Sequence, residues 1–217
     1  MAFSHACFIS YRHRPGSKDY KTVIDDLRDA LQNEVLLWMN PAVYLDYDRL
    51  RGGNFFNQAL SKAICESVCM VVFYIPPYFD PDYSYCAREF KAMEQLEAQR
   101  LKALGIAGGP NGLIIPVVCR GWDTFPAEIK GARQCYNFEP YYMEKRKISQ
   151  HAKGRAEIKQ IAKYIFDRYQ EMKSADAALC SGCDTFSLPQ EGDVLPWLRQ
   201  LLASPGGQPS GSQFPRL

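Results

Sequence analysis

The chain is predicted to be an α/β protein, built on a five-stranded parallel sheet with helices on both faces. Three observations predict it. Short apolar runs of strand length alternate with longer stretches whose apolar residues recur at helical spacing. One run, 69–75, is apolar at every position, as suits a strand buried on both faces of a parallel sheet. The 217 residues, 47% hydrophobic and 23% charged, suffice for one sizeable core.

The elements follow in order. A first strand, 6–11, starts apolar and turns polar at Ser10, Tyr11 and Arg12, before the breaker Pro15-Gly16. A helix follows with Tyr20, Val23, Ile24, Leu27, Ala30 and Leu31 on one stripe. Strand two is 43–46. A loop, 47–54, carries Asp48, Arg49, Arg51, Gly52 and Gly53, and leads to a helix with Phe56, Leu60, Ala63 and Ile64 inward. Strand three, 69–75, is stopped by Pro76-Pro77. A long helix over 83–104 has Phe90, Met93, Leu96, Leu101 and Leu104 as its inner stripe. After the turn cluster 108–112 come strand four, 113–119, and a weaker strand five, 136–138. The last long helix, 147–173, buries Ile158, Ile161, Ile165, Tyr169 and Met172. Its outer basic face (Lys153, Arg155, Lys159, Lys163) reads as a solvated surface. A short helix is expected over 193–202, with Pro196 in its first turn. The domain is drawn as 1–179, an extension as 180–203, and a Gly/Pro/Ser-rich tail, 204–217, as disordered.

Strand–helix alternation implies right-handed crossovers between parallel strands. Five such strands favour the flavodoxin-like order 2-1-3-4-5, whose switch point lies between strands one and three. Ser10, Tyr11 and Arg12 then face the residues after strand three, 78–89, where ligands bind in open α/β sheets.

A net charge of +2 makes no electrostatic case for nucleic acid or an anionic membrane. The longest apolar run, 68–75, is far short of the roughly 20 residues that span a bilayer. Arg12 and Arg14 interrupt any leader-like segment, so a cytoplasmic protein is expected. Of the eight cysteines, Cys7, Cys69 and Cys119 sit in apolar runs as small hydrophobes, which points to a reducing compartment. Cys180-Ser-Gly-Cys183 has metal or redox spacing. A structural zinc site needs four ligands and no second pair is present, so two loop thiols are the favoured reading.

Glu89 is the candidate chemical group. It lies early in the third helix, one residue from the buried Phe90 and four from Tyr85, so it shares a helix face with Tyr85. A carboxylate there can stabilise developing positive charge and accept hydrogen bonds from a pair of hydroxyls. It can equally be an early-helix Glu favoured by the helix dipole. The chain carries neither a Gly-x-x-x-x-Gly-Lys-Ser/Thr phosphate loop nor a Gly-x-Gly-x-x-Gly fingerprint. His5, His13 and His151 form no local motif, and no nucleophile elbow is present.

Four ordered segments resemble a Toll/interleukin-1 receptor (TIR) domain. They are Phe8-Ile-Ser-Tyr-Arg12, Val43 to Leu50 with Gly53 and Phe55, Ser67 to Tyr74 running on to Tyr85-Cys-Ala-Arg-Glu89-Phe, and Ile114 to Val118 with Gly121-Trp122. The resemblance covers about residues 5–140 and the helix that follows. It implies the sheet order above and, for enzymatic members, cleavage of NAD by a glutamate after strand three, the position of Glu89. Tyr85 stands where such members carry Trp. By the same carry-over Arg12 lines the pocket with Ser10 and Tyr11, Asp46 and Phe55 lie on or near the loop after strand two, and Cys86 neighbours the helix start. The resemblance further implies NAD as substrate with no metal and no other cofactor, self-association through TIR surfaces, and a nucleotide product that reaches a separate effector. It is similar to short bacterial antiphage-defence TIR enzymes of the Thoeris type. TIR domains also act as non-catalytic scaffolds, and that alternative stays open at this point.

Overall fold

The computed structural model describes residues 3–13, 18–45, 54–106, 112–142 and 147–203, the side chains of 54–56 excepted. Five strands, β1 (His5–Tyr11), β2 (Ala42–Leu45), β3 (Ser67–Tyr74), β4 (Ile114–Val118) and β5 (Tyr136–Asn137), form one parallel sheet in the order β2-β1-β3-β4-β5. This is the sheet and order expected of the sequence. All eight residues of β3 are buried, which is why that run tolerates no polar alternation.

The helices are α1 (Lys18–Val35), α2 (Asn54–Cys65), α3 (Tyr85–Ala103), α4 (Ala127–Ala132), α5 (Glu139–Tyr142), α6 (Ala152–Met172), α7 (Asp176–Leu179) and α8 (Glu191–Ala203). Helix α1 packs on α6 and α2 on α3, and both pairs lie against the central strands. The stripe Tyr20, Ile24, Leu27, Leu31 and Val35 of α1 is buried at helical spacing. No helix among the described residues is long and apolar enough to cross a membrane.

Three helix starts differ from expectation, each for a visible reason. Helix α3 begins at Tyr85 rather than at 83. Asp80 holds the preceding turn, its Oδ1 accepting from Asp82 N at 3.0 Å and its carbonyl from Tyr83 N at 3.0 Å. Helix α6 begins at Ala152 rather than at 147, after a 3₁₀ turn over Ile148–Gln150. There Asp26 of α1 accepts from Ser149 N at 3.1 Å and from Ser149 Oγ at 2.6 Å. Helix α8 starts two residues early, at Glu191, so Pro196 sits in its second turn instead of its first. The missing N–H of Pro196 removes one bond near the helix start, which the packing of Val194, Leu198 and Leu201 offsets.

A further correction concerns Cys183, which is not a loop thiol. It is bonded to Cys65 at the end of α2, 118 positions away, with S–S 2.07 Å and Cα–Cα 5.4 Å. Six cysteines remain free, Cys180 among them. The buried Arg100 of α3 closes the α2–β3 turn, donating to Cys65 O and, at 2.8 Å, to Ser67 O. The predicted disordered tail, 204–217, the turn cluster 108–111, the glycines of the loop after β2 and Asp46 lie outside the described residues.

Candidate active site

The chain leaves β1 for β2 on one side and returns to β3 on the other, so the carboxyl ends of β1 and β3 diverge there. Parallel pairing sets Ser10 beside Val72 and Tyr11 beside Phe73. Strand β3 then stops at Pro76, and a 3₁₀ turn (Pro76–Phe79) carries the chain over the end of β1.

These elements converge on Glu89. The Ser10 hydroxyl donates to Glu89 Oε2 at 2.5 Å. Ser10 and Tyr78 hydroxyls share a second bond of 2.6 Å. Since Ser10 has given its proton to the carboxylate, Tyr78 donates in that second bond. The Tyr78 oxygen also lies 3.4 Å from Cys86 O, and Cys86 Sγ donates to Tyr11 O at 3.4 Å. The N-terminal part of α3 is thus stitched to the end of β1 at two points, through Cys86 and Glu89.

Glu89, Ser10 and Tyr78 are each 0% exposed. The sequence placed Glu89 at the boundary of the buried stripe, whereas the structure puts it wholly inside. A buried carboxylate is costly unless hydrogen-bonded, and the hydroxyl of Ser10 meets that need. Tyr74, at the carboxyl end of β3, is 6.2 Å from Tyr78 ring to ring. Burial pushes its phenol up to about 12, so it stays neutral near the site at physiological pH.

Arg12 forms a rim next to this core. Its guanidinium lies 3.5 Å over the Tyr83 ring, and Nη2 reaches Asp80 Oδ2 at 3.4 Å. Arg12 Nη1 is buried without a hydrogen-bond partner among the described residues. Such a donor suits an anionic or carbonyl oxygen brought by a ligand.

Ser10, Tyr11, Cys86 and Glu89 therefore meet, with Arg12 on the adjoining rim. Tyr85 does not reach the carboxylate in any contact described. Its ring sits 5.7 Å from Tyr83 and 5.1 Å from the Arg88 guanidinium. Asp46 and the side chain of Phe55 lie outside the described residues. Tyr78, the second hydrogen-bond partner of the Ser10 hydroxyl, stood in the sequence only as part of 78–89. Its signal was a hydroxyl just past the Pro76-Pro77 stop. Asp80 carried no signal beyond its place in the same turn. Among the described residues, no group of three or more His, Cys, Asp or Glu side chains is placed to hold a metal ion.

The fold and site define a class of protein, a doubly wound α/β domain with a hydrogen-bonded carboxylate at its switch point. No protein-family model matches the chain, and no curated protein matches it either.

Proposed function

We propose that this protein is a TIR-type enzyme that cleaves the nicotinamide–ribose bond of NAD, giving ADP-ribose or a cyclic or conjugated ADP-ribose signal. The observation that carries the reading is the Glu89 carboxylate, held 2.5 Å from Ser10 Oγ across the β1–β3 switch point. On this reading the protein works in the cytoplasm in bacterial antiphage immunity, self-associates through TIR surfaces, and acts on a separate effector through its product.

The chemistry asks little of the protein beyond placement and charge. Cationic nicotinamide leaves with the bonding electrons of the C1′–N bond and needs no proton. The ribosyl cation that remains is stabilised by Glu89, which also accepts hydrogen bonds from the ribose hydroxyls in place of the one from Ser10. Water adding to C1′ and losing a proton yields ADP-ribose; a hydroxyl or ring nitrogen of the same molecule adding instead yields a cyclic product. Because Glu89 has no exposed surface, substrate reaches it only once neighbouring residues move. Arg12, with its open Nη1, is suited to the diphosphate.

The test is mass spectrometry of purified protein incubated with NAD under assembling conditions. Released nicotinamide, lost in Glu89→Ala with helical circular dichroism retained, supports the reading. Untouched NAD, or full activity in the variant, overturns it.

A second reading, a non-catalytic TIR scaffold, is favoured by one observation, the complete enclosure of Glu89 in a hydrogen-bonded core. It expects Glu89→Gln to lower stability and self-association, with no effect on NAD.

A further inference from the structure

Three cysteines are linked by one disulfide and one backbone turn. Cys65 ends α2, and Cys183 lies in the turns after α7. Cys180 is a half-buried free thiol three residues before Cys183. Cys183 N donates to Cys180 O at 3.1 Å, closing a turn between the two. The ends of such a turn are within about 7 Å, and a disulfide spans Cα separations of about 4.4–6.8 Å. Cys183 is therefore within bonding reach of two partners, the distant Cys65 and the local Cys180.

A buried cation stands beside this cluster. Arg100 is 1% exposed, and its guanidinium grips the carbonyl of Cys65. Its Nε is buried without a hydrogen-bond partner among the described residues. The same charge acts on Cys180. Burial raises that thiol most, Arg100 opposes the rise, and Glu66 and Asp176 add to it. Arg100 thus offsets part of the cost of burying a Cys180 thiolate.

The bond also has something to hold. Segment 184–190 crosses α2 and α3. Lys62 pairs with Asp184 at 2.5 Å, Leu188 N donates to Ser61 Oγ at 3.1 Å, and Arg88 Nε donates to Pro189 O at 2.7 Å. Beneath it lies a polar cavity of about 500 Å³, lined by Asn57, Ser61, Arg88, Thr185, Phe186 and Gln190. Beyond it, Trp197 of α8 stacks on Phe90 at 5.7 Å. Arg88 and Phe90 flank Glu89, so the segment grips the same turn of α3 that carries the carboxylate.

We propose that Cys65, Cys180 and Cys183 form a thiol–disulfide exchange centre that fastens segment 184–203 to α2 and frees it. In the exchange, the Cys180 thiolate attacks Cys183 Sγ. A Cys180–Cys183 bond forms, the Cys65–Cys183 bond breaks, and Cys65 leaves as a thiolate that takes up the proton Cys180 released. One disulfide is consumed and one is made, so no outside oxidant or reductant is required. The segment then has no covalent tie to α2 and is held there only by noncovalent contacts. The inference stands apart from the NAD reading.

The experiment uses the full chain without NAD. The protein is incubated in mildly alkaline buffer without reductant, alkylated in time steps, and mapped unreduced. Cleavage after Lys173 and Arg199 places Cys180 and Cys183 in one peptide, separate from Cys65. The expected result is loss of the Cys65–Cys183 linkage as an internal disulfide appears in 174–199 and alkylated Cys65 accumulates. Cys180→Ser should slow loss of the original bond at least tenfold. Hydrogen exchange in 184–203 should rise by at least tenfold on conversion while β3 is unchanged. Bond loss in Cys180→Ser at the wild-type rate, absence of the internal disulfide, or unchanged protection of 184–203 would each overturn the proposal.

Discussion

Ser10 and Glu89, separated by 79 positions, are joined by a 2.5 Å hydrogen bond with no exposed surface on either residue. The bond ties β1 to the second turn of α3. If it serves catalysis, its two ends should respond differently to mutation. Glu89→Gln removes the negative charge and is expected to lower nicotinamide release by at least about a hundredfold, roughly 2.7 kcal/mol of transition-state stabilisation. Ser10→Ala leaves the carboxylate one donor short. It should cost about 1–3 kcal/mol of stability and keep measurable turnover. Steady-state kinetics with denaturant titration separates the two, and equal activity losses would speak against Glu89 as the charged group.

Trp197 is the anchor of α8. Its ring is parallel to Phe90 within 14°, edge-on to Phe79 at 5.8 Å, and capped by Lys91 Nζ at 4.7 Å. Trp197→Ala removes a half-buried aromatic from a packed cluster and should cost about 2 kcal/mol. For a domain of this size that is a fall of about 4–8 °C in Tm by thermal circular dichroism. A shift under 1 °C would mean that α8 is held elsewhere.

The Cys65–Cys183 bond closes 118 residues of chain. Closing a loop of that length restricts the unfolded ensemble, and removal is expected to cost about 3 kcal/mol. Cys183→Ser should therefore melt about 6–12 °C below the parent protein. Full reduction of the parent should give the same Tm as the variant. A reduced protein that melts like the oxidised one would exclude a stabilising role.

Alkaline stability should report Tyr74. Burial raises its folded-state value to about 12, above the ordinary 10.0 of an unfolded tyrosine. Between those values the folded state binds more protons than the unfolded one, so stability falls as pH rises. The contribution is complete below pH 10 and is lost as pH climbs through about 12. Denaturation midpoints at pH 9 and pH 11 measure it. Tyr74→Phe should flatten the decline, and an unchanged slope would count against a buried phenol.

The architecture was legible because local pattern reports which face is buried. Uninterrupted apolarity in β3 and the helical stripes of α1, α3 and α6 follow from contact with the sheet, and alternation of the two implies parallel order. Glu89 was legible as well, through its place one residue from the buried Phe90 and just past the third strand. Element starts were less so. Asp80 and Asp26 act as side-chain acceptors on particular backbone N–H groups, and a carboxylate's choice of partner leaves no periodic trace.

The sequence by itself determined the five strands, their parallel order and the carboxylate at the divergence of β1 and β3, since spacing along the chain encodes burial. Only the tertiary structure decided that Glu89 is enclosed by Ser10, that Cys183 pairs with Cys65 rather than remaining a thiol, and that Trp197 stacks on Phe90. Those relationships join residues 79 and 118 positions apart in the first two cases. They depend on how packed elements dock, and docking is set by the shape of the whole core rather than by any one segment.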